Sequence, residues 1–127
     1  MVEKIRNMEK IIEALKTLRV GTGLSEAEIH NEIAKALDAN DVCYFHEYVL
    51  GPRCRVDFYI DGVAIEVKKG KPNRTQLAMQ INRYAEFDIV DAVIIVVETS
   101  LYNPISRTWN GKPCHVLGLQ KLWGIAL

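Results

Sequence analysis

Residues 54–69 read CRVDFYIDGVAIEVKK. Two alternating runs, 54–60 and 63–69, flank Asp61-Gly62. An Asp-Gly pair in that setting signals a two-residue hairpin turn, because both turn positions need positive φ. With such a turn Ile60 stands opposite Val63. Asp57 then falls opposite Glu66, and Arg55 opposite Lys68. Side chains alternate between faces of a strand. One face of the hairpin carries Val56, Phe58, Ile60, Val63, Ile65 and Val67, all apolar, so it is expected to be core. The other carries Arg55, Asp57, Tyr59, Ala64, Glu66 and Lys68.

Two carboxylates directly opposite each other repel, at a cost of about 0.2–1 kcal/mol even when exposed. A hard divalent cation between them turns that cost into binding. Magnesium uses one or two carboxylates and keeps several waters, which suits two acids on a small hairpin. Lys68 points the same way as Glu66, and an ammonium there can orient a water or stabilise charge on a phosphate. The alternative is a solvated charge quartet built from the diagonals Asp57–Lys68 and Arg55–Glu66, worth little energy.

Outward from the hairpin, residues 3–18 have the pattern of an amphipathic helix, with Ile5, Met8, Ile12 and Leu15 as its apolar stripe. Ser25 is placed as an N-cap, and Ser25-x-x-Glu28 fits a capping box. The helix it opens runs to about Ala39, with Ile29, Ile33 and Leu37 facing inward. Residues 42–50 are rich in β-branched and aromatic types, as strands are. Residues 74–86 form a helix with Leu77, Ile81 and Tyr84 on one face. Residues 89–97 fit a fully buried strand. The stretch 98–113 is loop-like, and 114–125 holds a short strand and a terminal element. The expected fold class is α/β, a mixed sheet with a β-meander flanked by helices, in the order α-α-β-β-β-α-β plus a short C-terminal element.

Asp57, eight intervening residues, then Glu66-Val67-Lys68 on a hairpin resembles the PD-(D/E)xK nuclease superfamily, which includes restriction endonucleases, Holliday-junction resolvases and RecB-type exonucleases. The likeness spans residues 24–97, and Val56 stands where the motif's proline would be. The resemblance implies a restriction-endonuclease-like core. It implies that Asp57 and Glu66 ligate Mg2+ or Mn2+ with the carbonyl of Val67, and that Lys68 is the catalytic lysine. It also implies a glutamate on the first core helix, for which Glu26, Glu28 and Glu32 are candidates. Helical phase favours Glu26, which lies three, seven and eleven residues before Ile29, Ile33 and Leu37. Glu47 is an outside candidate for a supporting role. Gln80 and Tyr84, four residues apart on one helical face, resemble the QxxxY motif of RecB-like and Cas4-like nucleases. By that likeness Gln80 serves the metal site and Tyr84 contacts the nucleic-acid backbone. Arg53, Arg55, Lys69, Lys71 and Arg74 cluster around the acid-bearing strands, where cations suit phosphate contacts.

The 127 residues match the size of one ordinary domain. An extra N-terminal helix (1–20), a nuclease core (24–97) and a C-terminal extension (98–127) are expected to share it. Sixteen basic and sixteen acidic residues cancel, which argues against binding a polyanion by bulk charge. The charge is uneven: residues 51–83 hold seven bases and three acids, a local excess of four. No apolar run approaches a bilayer span, so no membrane partner is expected. Cys43, Cys54 and Cys114 lack zinc-ligand spacing and are expected to be reduced thiols of a cytoplasmic protein. His30, His46 and His115 are read as structural, with His30 on the same helical face as Glu26.

These features together point to a metal-dependent DNA nuclease, with structure- or end-specific cleavage favoured by the small size and RNA left open as a substrate. No organic cofactor is expected. A homodimer would let two sites cut both strands. The rival reading is a catalytically inert nucleic-acid-binding or assembly subunit of the same fold.

Overall fold

A computed structural model describes residues 2–18, 24–70, 73–97 and 108–118. The elements are α1 (Val2–Leu15), α2 (Glu26–Ala39), β1 (Phe45–Gly51), β2 (Cys54–Ile60), β3 (Val63–Lys68), α3 (Arg74–Ala85), β4 (Ala92–Val97), β5 (Thr108–Trp109) and β6 (Lys112–Gly118). The chain is therefore α/β with a mixed sheet. Strand order is β1-β2-β3-β4-β6-β5. The first three strands form an antiparallel meander. β3, β4 and β6 run parallel, and the two-residue β5 pairs antiparallel outside β6.

The hairpin turn forms as the sequence dictates, with Asp61 at φ 41° and Gly62 at φ 93°. Ile60↔Val63, Tyr59↔Ala64 and Phe58↔Ile65 are paired in the expected register. Helix α3 is the crossover that a parallel β3–β4 pair requires. Ser25 caps α2 in a complete capping box, its Oγ accepting the Glu28 amide over 3.2 Å while Glu28 Oε1 accepts the Ser25 amide over 2.9 Å. Asn73 caps α3 with its side-chain oxygen, which accepts the Gln76 amide over 3.0 Å.

Two apolar clusters sandwich the sheet. Ile11, Leu15 and Leu18 of the α1 segment and Ile29, Ile33 and Leu37 of α2 pack on Phe58, Ile60, Val63, Ile65, Val67, Ile94 and Val96. On the opposite face Leu77, Ile81 and Tyr84 of α3 pack on Cys54, Val56, Ala64, Val93, Ile95 and Val97. Every residue of β4 is buried, as a strand covered on both faces should be.

The structure corrects several expectations. β1 starts at Phe45 instead of residue 42, and β4 at Ala92 instead of residue 89, where Ile89 is exposed. Val56 packs in the α3 cluster while Phe58 packs in the α1–α2 cluster, so the strand rotates across Asp57 instead of keeping one apolar face. The buried stripe of α1 runs through Ile11, Ala14 and Leu15, with Met8 and Ile12 at its margin; the side chain of Ile5 lies outside the described residues. Asn110-Gly111, read as loop, is a second two-residue hairpin turn with φ 51° and 73°. The last strand starts at Lys112, two residues earlier than expected. Among the described residues no helix is long and apolar enough to cross a membrane.

Candidate active site

Beyond Phe58↔Ile65 the β2–β3 ladder is not continued by backbone pairing. The two acids take it over. The amide of Val67 donates to Asp57 Oδ2 over 2.7 Å, and the amide of Asp57 donates to Glu66 Oε1 over 3.3 Å. Each carboxylate thus satisfies an amide on the facing strand. This is why Asp57 and Glu66, expected as a directly opposed pair, and Arg55 and Lys68 beside them, leave the regular register.

Glu66 is the one buried charged residue among those described, with 6% of its surface exposed. That burial excludes the solvated quartet. Its other oxygen, Oε2, accepts from Gln80 Nε2 over 3.0 Å and lies 3.4 Å from Lys68 Nζ. Gln80 Nε2 also donates to the Tyr84 hydroxyl over 2.8 Å. Burial, and then the nearby Asp57, push the Glu66 carboxyl up to about 7, with Lys68 pulling the other way. Burial, followed by Glu66, raises the Tyr84 hydroxyl above its ordinary range.

Asp57 faces the other helical layer. Its Oδ2 lies 3.5 Å from His30 Nε2. One carboxylate oxygen each from Glu26 and Asp57 and one nitrogen of His30 lie within 4.8 Å of one another. Glu66 is not in this group; its tie to Asp57 is the backbone amide. Of the three glutamates on α2, Glu28 is engaged in the capping box and Glu32 pairs with Lys35 at 3.3 Å. Glu26 is the one brought to the cluster.

His30 is the residue that the sequence reading held only in reserve. A single histidine on an apolar helical stripe has no motif of its own. Its shared face with Glu26 was the available signal. His30 Nε2 is buried without a hydrogen-bond partner, and 3.5 Å is too far for a good bond to Asp57. A lone imidazole nitrogen beside two carboxylates is a donor set of the kind that holds a divalent cation. The raised Glu66 carboxyl is likewise a group whose ionised form a cation would stabilise.

The remaining expected residues divide. Val67 contributes its amide to Asp57. Arg53, Arg55, Lys69 and Arg74 are exposed, on the two acid-bearing strands' flanks and at the start of α3. The carbonyl of Arg53 accepts from Arg83 over 2.8 Å. Lys71 lies outside the described residues. Tyr84 is 1% exposed and its hydroxyl serves Gln80 and, at 3.5 Å, the Arg55 carbonyl. A direct contact of Tyr84 with a nucleic-acid backbone is therefore corrected to an internal supporting role. Glu47 is exposed with φ 54° and joins neither cluster.

The chain matches no family model, no curated protein and no solved structure in comparisons with known proteins.

Proposed function

We propose that this chain is a divalent-metal-dependent deoxyribonuclease of the PD-(D/E)xK class, with a restriction-endonuclease-like fold and structure- or end-specific cleavage. The observation that carries this reading is the cross-bonded pair Asp57 and Glu66, with Lys68 3.4 Å from Glu66 and Gln80 behind it. The meander β1–β2–β3, the crossover α3 and the buried strand β4 supply the element order that the class uses.

Asp57, Glu26 and His30, the clustered group, would hold Mg2+ or Mn2+, with Glu66 and the Val67 carbonyl as further ligands by resemblance. When bound, the ion would supply a Lewis acid that acidifies water and offsets phosphate charge. The protein's own groups do the rest. Gln80 fixes one oxygen of Glu66, and the Asp57 amide fixes the other, so the carboxylate is oriented before substrate arrives. The Lys68 ammonium faces Glu66 and stabilises negative charge developing on the scissile phosphate as water attacks in line. Arg53, Arg55, Lys69, Lys71 and Arg74 would track the DNA backbone, reading charge and shape. With so little surface left for base edges, strand structure or ends would decide the substrate.

The test is a panel of labelled DNAs: single strand, blunt duplex, flap, nicked circle and four-way junction. Each is incubated with Mg2+, Mn2+ or EDTA, beside Glu66→Ala and Lys68→Ala. Metal-dependent cutting that both substitutions abolish is expected. Binding without cutting, equal in wild type and variants, would instead identify an inert binding subunit.

A further inference from the structure

We infer that His46 is a positioning residue that makes His30 a cation ligand and thereby biases the site toward Mn2+ over Mg2+, an inference that rests on the metal-centred reading above. His30 Nδ1 and His46 Nε2 lie 3.0 Å apart. Between two neutral imidazoles, one nitrogen donates and the other accepts. If His46 donated, His30 would carry its proton on Nε2. That atom faces Asp57 Oδ2 at 3.5 Å, so a proton there suits the site without a cation and blocks it as a ligand. If His46 accepts, the proton sits on His30 Nδ1 and the Nε2 lone pair faces the Asp57 carboxylate, with Glu26 in the same cluster. A lone pair among carboxylates is unfavourable alone and favourable around a cation.

His46 is itself held for this task. It sits opposite Phe58 in the β1–β2 register. Its ring stacks on Phe58 with centroids 4.7 Å apart and planes 27° apart. The Phe58 ring also lies 5.4 Å from that of His30, so one buried aromatic sets both imidazoles. Outer partners of this sort fix the tautomer of metal-binding histidines and tune affinity. The choice of ion follows from the donors. Magnesium takes oxygen ligands. An imidazole suits first-row transition ions, while the carboxylates keep the site hard enough for manganese.

The experiment is calorimetric titration of the full chain with Mn2+ and, separately, Mg2+, for wild type, His46→Phe and His46→Gln. Phe keeps a ring on Phe58 but offers no acceptor; Gln offers an acceptor without the ring. Wild type is expected to bind Mn2+ more tightly than Mg2+. His46→Phe should weaken Mn2+ by about tenfold and leave Mg2+ within about twofold, and His46→Gln should restore Mn2+. An unchanged Mn2+-to-Mg2+ ratio in His46→Phe overturns the inference, as does equal weakening of both ions that Gln does not repair. If wild type binds neither ion, the metal-centred reading falls with it; if it binds both and only the His46 effect is missing, that reading stands.

Discussion

The amide of Val67 donates to Oδ2 of Asp57 over 2.7 Å, a bond that stands where a strand-to-strand backbone pair would otherwise be. Val67 is 1% exposed, so no water replaces a lost acceptor. Asp57→Ala should cost about 1–3 kcal/mol of stability by stranding that amide. Asp57→Asn keeps an acceptor and removes the repulsion on Glu66. In EDTA it should be at least as stable as wild type, yet inactive in cleavage. Urea melts of the three proteins, with a cleavage assay alongside, separate the structural part of Asp57 from the chemical part.

The Glu66 carboxyl gives a signed pH dependence. It ionises at about 7 in the folded protein against an ordinary 4.5. Between those values the folded state holds the proton that the unfolded chain has released, so stability falls as pH rises through this window. The full effect is about 3 kcal/mol. Measured in EDTA as wild type minus Glu66→Gln, the slope should be negative from about pH 5 to pH 7 and flat above about pH 8. Adding Mn2+ should raise the melting temperature more at pH 8 than at pH 6, because ligand binding expels that proton. Equal metal stabilisation at both pH values would count against Glu66 as a ligand.

Gln80 and Tyr84 both act on Glu66, Tyr84 through Gln80 and also directly by its own hydroxyl. Gln80→Ala should lower cleavage by about ten- to a hundredfold and cost about 1–3 kcal/mol of stability, since it takes a donor from a buried carboxylate. Tyr84→Phe retains the buried ring and loses the hydroxyl that receives Gln80 and bonds Glu66, while Gln80 still holds the carboxylate, so a smaller drop is expected. The double variant should be worse than Gln80→Ala but by less than the product of the single losses, because the hydroxyl works partly through Gln80 and partly on Glu66 itself. Single-turnover rates on one preferred substrate would show this. Additive losses would mean that Tyr84 acts independently.

Gly62 is constrained twice over. Its φ of 93° is a conformation that side chains resist, and a Cβ there would stand 2.2 Å from Asp91 Oδ2. Its carbonyl also accepts the amides of Asp91 and Ala92 at the entry to β4. Gly62→Ala should cost about 1–3 kcal/mol and shift the denaturation midpoint. Replacing exposed Lys69 by Ala should not move it.

Much of this fold was legible because it is local. The Asp61-Gly62 turn, the Ser25–Glu28 box and the apolar run of β4 each declare themselves within a few residues. What escaped was non-local. Alternation along 54–60 cannot reveal that the Asp57 carboxylate would claim the Val67 amide, so the register past Phe58 and the rotation that carries Val56 into the α3 cluster were missed. The stripe of α1 was misphased toward Ile12 because Ile11 and Ile12 are adjacent and only the partner surface chooses between them. In the site, Asp57, Glu66, Lys68 and Gln80 were visible as a spaced motif. His30 was not, because its meaning comes from β1 and β2, which reach it only in the folded chain.

The cross-bonded acids also set an order of assembly. Asp57 and Glu66 sit on one hairpin with a two-residue turn, a unit that closes in about 1–10 μs. Glu26 and His30 arrive only when α2 docks across the sheet, a contact between segments far apart in sequence and correspondingly slower to form. A folding chain is expected to hold two crowded carboxylates before it holds the helix that completes their surroundings. Kinetically the hairpin is the template and α2 the latch, and a refolding experiment timed by cleavage should lag one timed by strand formation.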